Sequence, residues 1–207
     1  MADDVWSKIH GERAAFADFV ASLTPEQLEA ASRCAGWSVR DVIGHMVATA
    51  HTSPANFFSG LAMSGFRFNA FNQKGVERYH SGTAAELADR MRATTTMTTH
   101  PPGPTVAMLG EVIVHGDDVR RPLGASYDYP ADDVIAAADF YKTSNLLLGS
   151  KKRIVGLTLR ATDIGWSTGS GPEVAGPGVA LLSAMTGRKA ALDDLQGGGF
   201  EDFATRF

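Results

Sequence analysis

Apolar residues recur at helical spacing through the first two-thirds of the chain and then give way to alternation. Val5, Ile9, Phe16, Phe19 and Val20 predict a helix over residues 3–22, which Thr24-Pro25 interrupts. Thr24-Pro25-Glu26-Gln27 has the form of a helix start: a capping threonine, proline at the first position and glutamine three residues after the cap. A short helix to Ser32 follows from it. After the loop Arg33-Cys34-Ala35-Gly36-Trp37, the Ser38 hydroxyl is placed to cap a helix running from Val39 to about residue 60. Val39, Val42, Ile43, Met46, Val47 and Ala50 form its apolar stripe, and Pro54 should kink or end it.

A weaker helical pattern covers Phe66 to Tyr79, and Ala84 to Thr96 reads as another helix. His100-Pro101-Pro102-Gly103-Pro104 is a loop, and a long helix is expected from Thr105 to Arg121, closed by Pro122 and Gly124. Pro130 opens a helix expected from Ala131 to Leu148, with Gly149 as its C-cap. Then the pattern changes. KRIVGLTLRAT, residues 152–162, alternates and carries β-branched residues, so it reads as a strand. The Gly-rich segment 165–178 suits turns and short strands, and Val179 to Met185 suits a helix capped by Gly187. Gly197-Gly198-Gly199 permits a sharp turn before the last segment. The fold class is mostly α: a helical bundle over residues 1–149, then a small α+β C-terminal subdomain over 150–207, too small for a robust core of its own and expected to pack on the bundle.

Composition narrows the function more than the fold. A chain of 207 residues, 44% hydrophobic, buries a sizeable core without metal or disulfide, so a bound metal would serve chemistry. The net charge of −4 with scattered Lys and Arg argues against a nucleic-acid partner. No apolar run approaches the ~20 residues of a membrane span, and the acidic N-terminus is unlike a signal peptide. One cysteine, Cys34, fits a reducing cytoplasm. The expectation is a cytoplasmic protein acting on a small-molecule substrate.

The chemistry centres on Glu111-Val-Ile-Val-His115. Residues four apart share a helix face, and Asp118 continues it. Leu109, Val112, Ile113, Val114 and Val119 around them are apolar, so the polar stripe can face inward, where Glu and His need a partner or a metal. The spacing alone more often marks a solvated pair, and a metal requires a third ligand from another helix. His45, mid-helix beside an apolar stripe, is the best placed; His10 and His51 have no paired ligand nearby, and His80 and His100 fall in loop-like stretches. Asp118 can orient an imidazole N–H or pair with Arg121 or Arg40, and Asp41 can do the same or cap its helix. Trp37 reads as a loop anchor, and Cys34 as a small buried residue rather than a nucleophile, with no His–Asp motif beside it.

These segments carry a family resemblance. Cys34-Ala-Gly-Trp-Ser-Val-Arg-Asp-Val-Ile-Gly-His45 and Glu111-Val-Ile-Val-His115-Gly-Asp-Asp118-Val-Arg-Arg-Pro-Leu-Gly124 resemble the mycothiol-dependent maleylpyruvate isomerase N-terminal family, within the DinB-like superfamily. Leu159-Arg-Ala-Thr-Asp163, Trp166, Gly176 and Gly187-Arg188 resemble the small C-terminal domain often attached to it. The resemblance implies an antiparallel four-helix bundle with a divalent metal on His45, Glu111 and His115. Two imidazoles and a carboxylate suit Zn²⁺ first, and Ni²⁺ or Fe²⁺ also. It further implies mycothiol or a similar low-molecular-weight thiol, held as thiolate and attacking an electrophile, which yields an isomerase or an S-transferase. A metal-dependent hydrolase and a ligand-binding protein without turnover remain alternatives. Asp118 and Arg188 are the candidate catalytic residues, Arg188 as a contact for a substrate carboxylate. Pairing of two copies along exposed helices is compatible with a DinB-like bundle.

Overall fold

The computed structural model describes residues 2–146 and 148–207, and side-chain caps from Thr24, Ser38, Ser53 and Thr83 begin four of its helices. The chain divides into two units, meeting at Ser126–Tyr127. The first holds α1 (Ala2–Ala21), α2 (Pro25–Glu29), α3 (Val39–Ala50), α4 (Pro54–Met63), α5 (Phe68–Tyr79), α6 (Ala84–Arg92) and α7 (Val106–Arg120). At α2 the Thr24 hydroxyl accepts from the Gln27 amide and the Gln27 side chain accepts from the Thr24 amide, a reciprocal capping box. Ser38 and Asp41 make the same arrangement at α3, and Thr83 and Glu86 at α6.

The bundle is built around α7. Helix α1 packs on α6 and α7, while α3 packs on α5, α6 and α7. Ile9, Phe16, Ala17 and Val20 from α1 and Val39, Val42, Ile43, Met46 and Val47 from α3 are buried with Leu109, Ile113 and Val119 of α7. Each large apolar side chain so buried contributes about 1.5–3 kcal/mol. Helix α7 is buried nearly all round, from Met108 to Gly110 and from Val112 to Arg120, which makes it the core helix rather than a surface one. Its charged residues therefore lie inside the bundle.

The second unit contains α8 (Ala131–Tyr141), α9 (Ser150–Arg153), β1 (Thr158–Ala161), β2 (Ser167–Gly169), β3 (Glu173–Gly176), α10 (Gly178–Met185) and α11 (Phe200–Ala204). Its sheet has the order β2-β1-β3, with β1 antiparallel to β2 and parallel to β3, Leu159 lying opposite Val174. Helix α10 covers this sheet and packs on α8. Trp166 Nε1 donates to Asp139 of α8 at 3.0 Å, and the Gly178 amide donates to Asp163 at 2.8 Å. Helix α8 thus belongs with the sheet, and the division falls before it, not at 149/150 where the shift in composition placed it.

Several boundaries differ from the sequence expectation, each for a local reason. Helix α3 stops at Ala50 because Ser53-Pro54 is itself a cap followed by proline at the first position, and it starts α4. Helix α6 stops at Arg92, where the Thr94 and Thr95 hydroxyls donate to the Met91 and Arg92 carbonyls at 2.7 Å. Helix α8 stops at Tyr141: Thr143 and Ser144 hydroxyls and the Asn145 side chain take up backbone groups that a continuing helix would use. Leu147, within the expected span of that helix, lies outside the described residues. Gly149, at φ +65°, precedes α9 instead of capping α8. The expected strand from residue 152 begins only at Thr158, after α9 and the left-handed Gly156.

Candidate metal centre

His45, Glu111 and His115 come together inside the first unit. One ligand atom from each lies within 4.8 Å of the others. Helix α3 delivers His45 two turns beyond its N-cap, and the capping box fixes that end: Ser38 N donates to Asp41 Oδ2 at 3.0 Å. Helix α7 delivers Glu111 and His115 from one face, one turn apart. The two imidazoles meet edge to face with ring centroids 4.9 Å apart. The Trp37 indole lies 5.0 Å from the His45 ring, on the side of the loop that precedes α3. His115 is buried, and His45 and Glu111 are half-buried, so the group is set into the bundle yet reachable.

Asp118 is completely buried, and its Oδ2 lies 3.1 Å from His115 Nδ1. A carboxylate there draws the ring proton to Nδ1 and leaves Nε2 as the nitrogen with a lone pair. Of the pairings open to Asp118 in the sequence, the imidazole is therefore made, while Arg40 instead binds Glu29 at 2.7 Å and the His80 and Gly82 carbonyls. Asp41 caps α3 and holds His80 Nδ1 at 2.9 Å. Burial pushes the Asp41 carboxyl upward, but the Ser38 hydroxyl and amide and the His80 ring outweigh it, and the net value falls below the usual carboxylate range. Arg188 lies in the second unit, donating to the Thr186 carbonyl at 3.3 Å. The remaining histidines are occupied elsewhere: His10 on the Met97 carbonyl, His51 stacked on Tyr79, His80 on Asp41 and His100 on the Pro101 carbonyl.

Arg13 and Cys34 make contacts here that the sequence did not signal. Arg13 of α1 is buried, with Nη1 donating to the Thr94 and Met97 carbonyls at 3.0 Å each. Burial lowers the affinity of its guanidinium for the proton, and the Glu111 carboxylate opposes that loss. Arg13 thus sets a fixed positive charge behind Glu111. Cys34 corrects an expectation more directly. It is half-buried, its Sγ donates to Asp118 Oδ2 at 3.0 Å, and it lies 3.5 Å from His115 Nδ1. A His–Asp pair does accompany it; 81 residues separate Cys34 from His115, so no local spacing signals the contact.

A helical bundle that turns two imidazoles and a carboxylate toward one point has the donor set of a divalent-cation centre with an open position. Residues 9–99 match the model of the mycothiol maleylpyruvate isomerase N-terminal domain. Solved structures agree in fold: a mycothiol-dependent maleylpyruvate isomerase and a histidine-to-alanine mutant of it align with TM-score 0.64 at 13% and 14% identity. In both comparisons 96% of this chain covers 93% of the other. No curated relative matches the sequence. The family match includes His45 but ends before Glu111 and His115, so those two candidate ligands rest on the geometry.

Proposed function

We propose that this protein is a divalent-cation-dependent, thiol-dependent isomerase or S-transferase acting on a small electrophilic substrate. The observation that carries this reading is the convergence of His45, Glu111 and His115 within 4.8 Å. Their donor set fits the cation: two neutral imidazoles and one carboxylate suit Zn²⁺, with Ni²⁺ and Fe²⁺ accommodated by the same ligand types. When bound, the cation would favour the thiolate form of a low-molecular-weight thiol such as mycothiol, and so supply the nucleophile. The family match over residues 9–99 and the isomerase fold support a thiol in that place rather than water alone.

The chain's own residues prepare the centre. Asp118 holds the His115 proton on Nδ1, which orients the ring and keeps Nε2 as the donor. Arg13 and the Glu111 carboxylate attract each other, which favours the charged form of the arginine. Trp37 covers one flank of His45, and the apolar residues around His115 exclude water from that ring. The test is metal analysis of the purified protein, followed by titration of the Co²⁺-substituted form with small thiols under visible absorption. About one cation per chain is expected, lost in His45→Ala and His115→Ala, and thiols should perturb the cobalt spectrum. Full metal content in both variants would overturn the site. A cobalt spectrum indifferent to thiols would overturn the thiol and move the reading to hydrolysis.

A further inference from the structure

His115 belongs to two groups of cation-ligating side chains. The first is His45–Glu111–His115; the second is Cys34–His115–Asp118, whose donor atoms also lie within 4.8 Å of one another. The second group comes from two elements held in register. The Arg33 amide donates to the Asp118 carbonyl at 2.9 Å, and Arg33 Nη1 lies 3.6 Å from the Asp117 carboxylate, so the loop carrying Cys34 is pinned to the end of α7. We propose that Cys34, His115 and Asp118 form a second, thiophilic cation site that competes with the first for the imidazole of His115.

The geometry is close to what a tetrahedral cation asks. With bonds of about 2.3 Å to sulfur and about 2.0–2.1 Å to nitrogen and oxygen, two ligands stand about 3.5 Å apart when one is sulfur and about 3.3 Å when neither is. The observed edges are 3.5 Å for Cys34 Sγ to His115 Nδ1, 3.0 Å for Cys34 Sγ to Asp118 Oδ2 and 3.1 Å for His115 Nδ1 to Asp118 Oδ2. Two protons now occupy the place of the cation, and only two edges need widen, by about 0.2–0.5 Å. On binding, the Cys34 thiol proton leaves to solvent and the ring proton moves from Nδ1 to Nε2. No electron is transferred, and the only bonds between non-metal atoms that change are the S–H and N–H bonds of those two protons.

Competition follows from the tautomer. A neutral imidazole has one lone pair. The first group uses His115 through Nε2 while Nδ1–H donates to Asp118; the second uses Nδ1 and turns Nε2 into a donor. One cation per chain is therefore held in one group or the other. The thiolate makes the second group the softer of the two, so thiophilic cations such as Cd²⁺ prefer it. Occupation of the second site withdraws His115 from the first, which makes the site inhibitory. This consequence rests on the function proposed above; the binding itself does not.

The experiment is titration of the intact protein with Cd²⁺, read by the ultraviolet charge-transfer absorption of a cadmium–thiolate bond. The band should saturate at one Cd²⁺ per chain and persist in Glu111→Gln, which disables the first group. Cys34→Ser should lose the band and bind Cd²⁺ at least tenfold more weakly, with an unchanged far-ultraviolet circular dichroism spectrum showing that it still folds. Absence of the band in the wild type, its loss in Glu111→Gln, or Cd²⁺ affinity within twofold in Cys34→Ser would overturn the site. Saturation at two Cd²⁺ per chain would overturn the competition. Cys34→Ser retains the first group, so its Zn²⁺ content reports that centre independently of this proposal.

Discussion

Removing the Glu111 carboxylate should remove most of the stabilisation that a cation held by His45, Glu111 and His115 would confer on the first unit. The three proposed ligands join α3 to α7, so a cation that binds only the folded bundle would stabilise it by mass action. At a free concentration 100 times the dissociation constant the gain is about 2.7 kcal/mol. The first unit ends at Ser126, and at ~2.1 cal/mol/K per residue its unfolding entropy is about 0.26 kcal/mol/K. The unfolding temperature of that unit should therefore rise by about 10 °C. Glu111→Gln removes one of three ligands, and even the groups that merely orient ligands are worth 10–100-fold in affinity, so ~100-fold is a fair loss. The same cation concentration then equals the dissociation constant, the gain falls to about 0.4 kcal/mol, and the rise to about 1.5 °C. Thermal unfolding followed by circular dichroism, with and without Zn²⁺ and reversed by a chelator, measures both shifts. Comparing the shift within each protein cancels the effect of the substitution on the empty bundle. An equal rise in wild type and Glu111→Gln would refute Glu111 as a ligand.

Three further outcomes follow from the same structure. The Asp41 carboxyl is held below its ordinary range, so its stabilising effect is fully present above about pH 3.9 and is lost as pH falls through the lowered native value; Asp41→Asn should flatten the acid limb of stability measured by urea titration at successive pH values. A Cβ on Gly44 would stand 2.9 Å from the backbone of His80, so Gly44→Ala must force α5 off α3, costing about 1–3 kcal/mol in urea unfolding, whereas the same change at Gly11, where nothing lies within 4 Å, should not. Arg13→Met removes two charged hydrogen bonds to the Thr94 and Met97 carbonyls but also relieves a buried charge; a net loss of about 2–4 kcal/mol is expected, with partial recovery in Arg13→Lys.

Helix existence was legible because the apolar spacing is strong: Val39, Val42, Ile43, Met46 and Val47 mark α3, and all are buried. Helix ends were less so. They depend on hydroxyl groups such as those of Thr94, Thr143 and Ser144, which compete for backbone partners only once the helix is placed. The pairing of Glu111 with His115 could be read from a four-residue spacing, whereas His45 needed the family resemblance. Arg13 was invisible, and so were the contacts of Cys34, which was read only as a small buried residue. Their partners lie more than 80 residues away, and nothing periodic connects a loop cysteine or an α1 arginine with α7.

The charges buried on α7 are answered by two other parts of the first unit. A buried helix bearing His115, Asp117, Asp118 and Arg120 would be costly if these groups lacked partners. Arg120 is spread over the faces of Phe16 and Phe19, its guanidinium 5.2 Å from each ring, and α1 thus answers one charge. The loop from Arg33 to Trp37 answers the others: Arg33 faces Asp117, the Arg33 amide and Cys34 thiol both donate to Asp118, and Trp37 backs His45. One short loop therefore compensates the carboxylates of α7, aims the imidazole of His115 through Asp118, and begins the helix that brings His45. Its sequence is constrained by all three demands together.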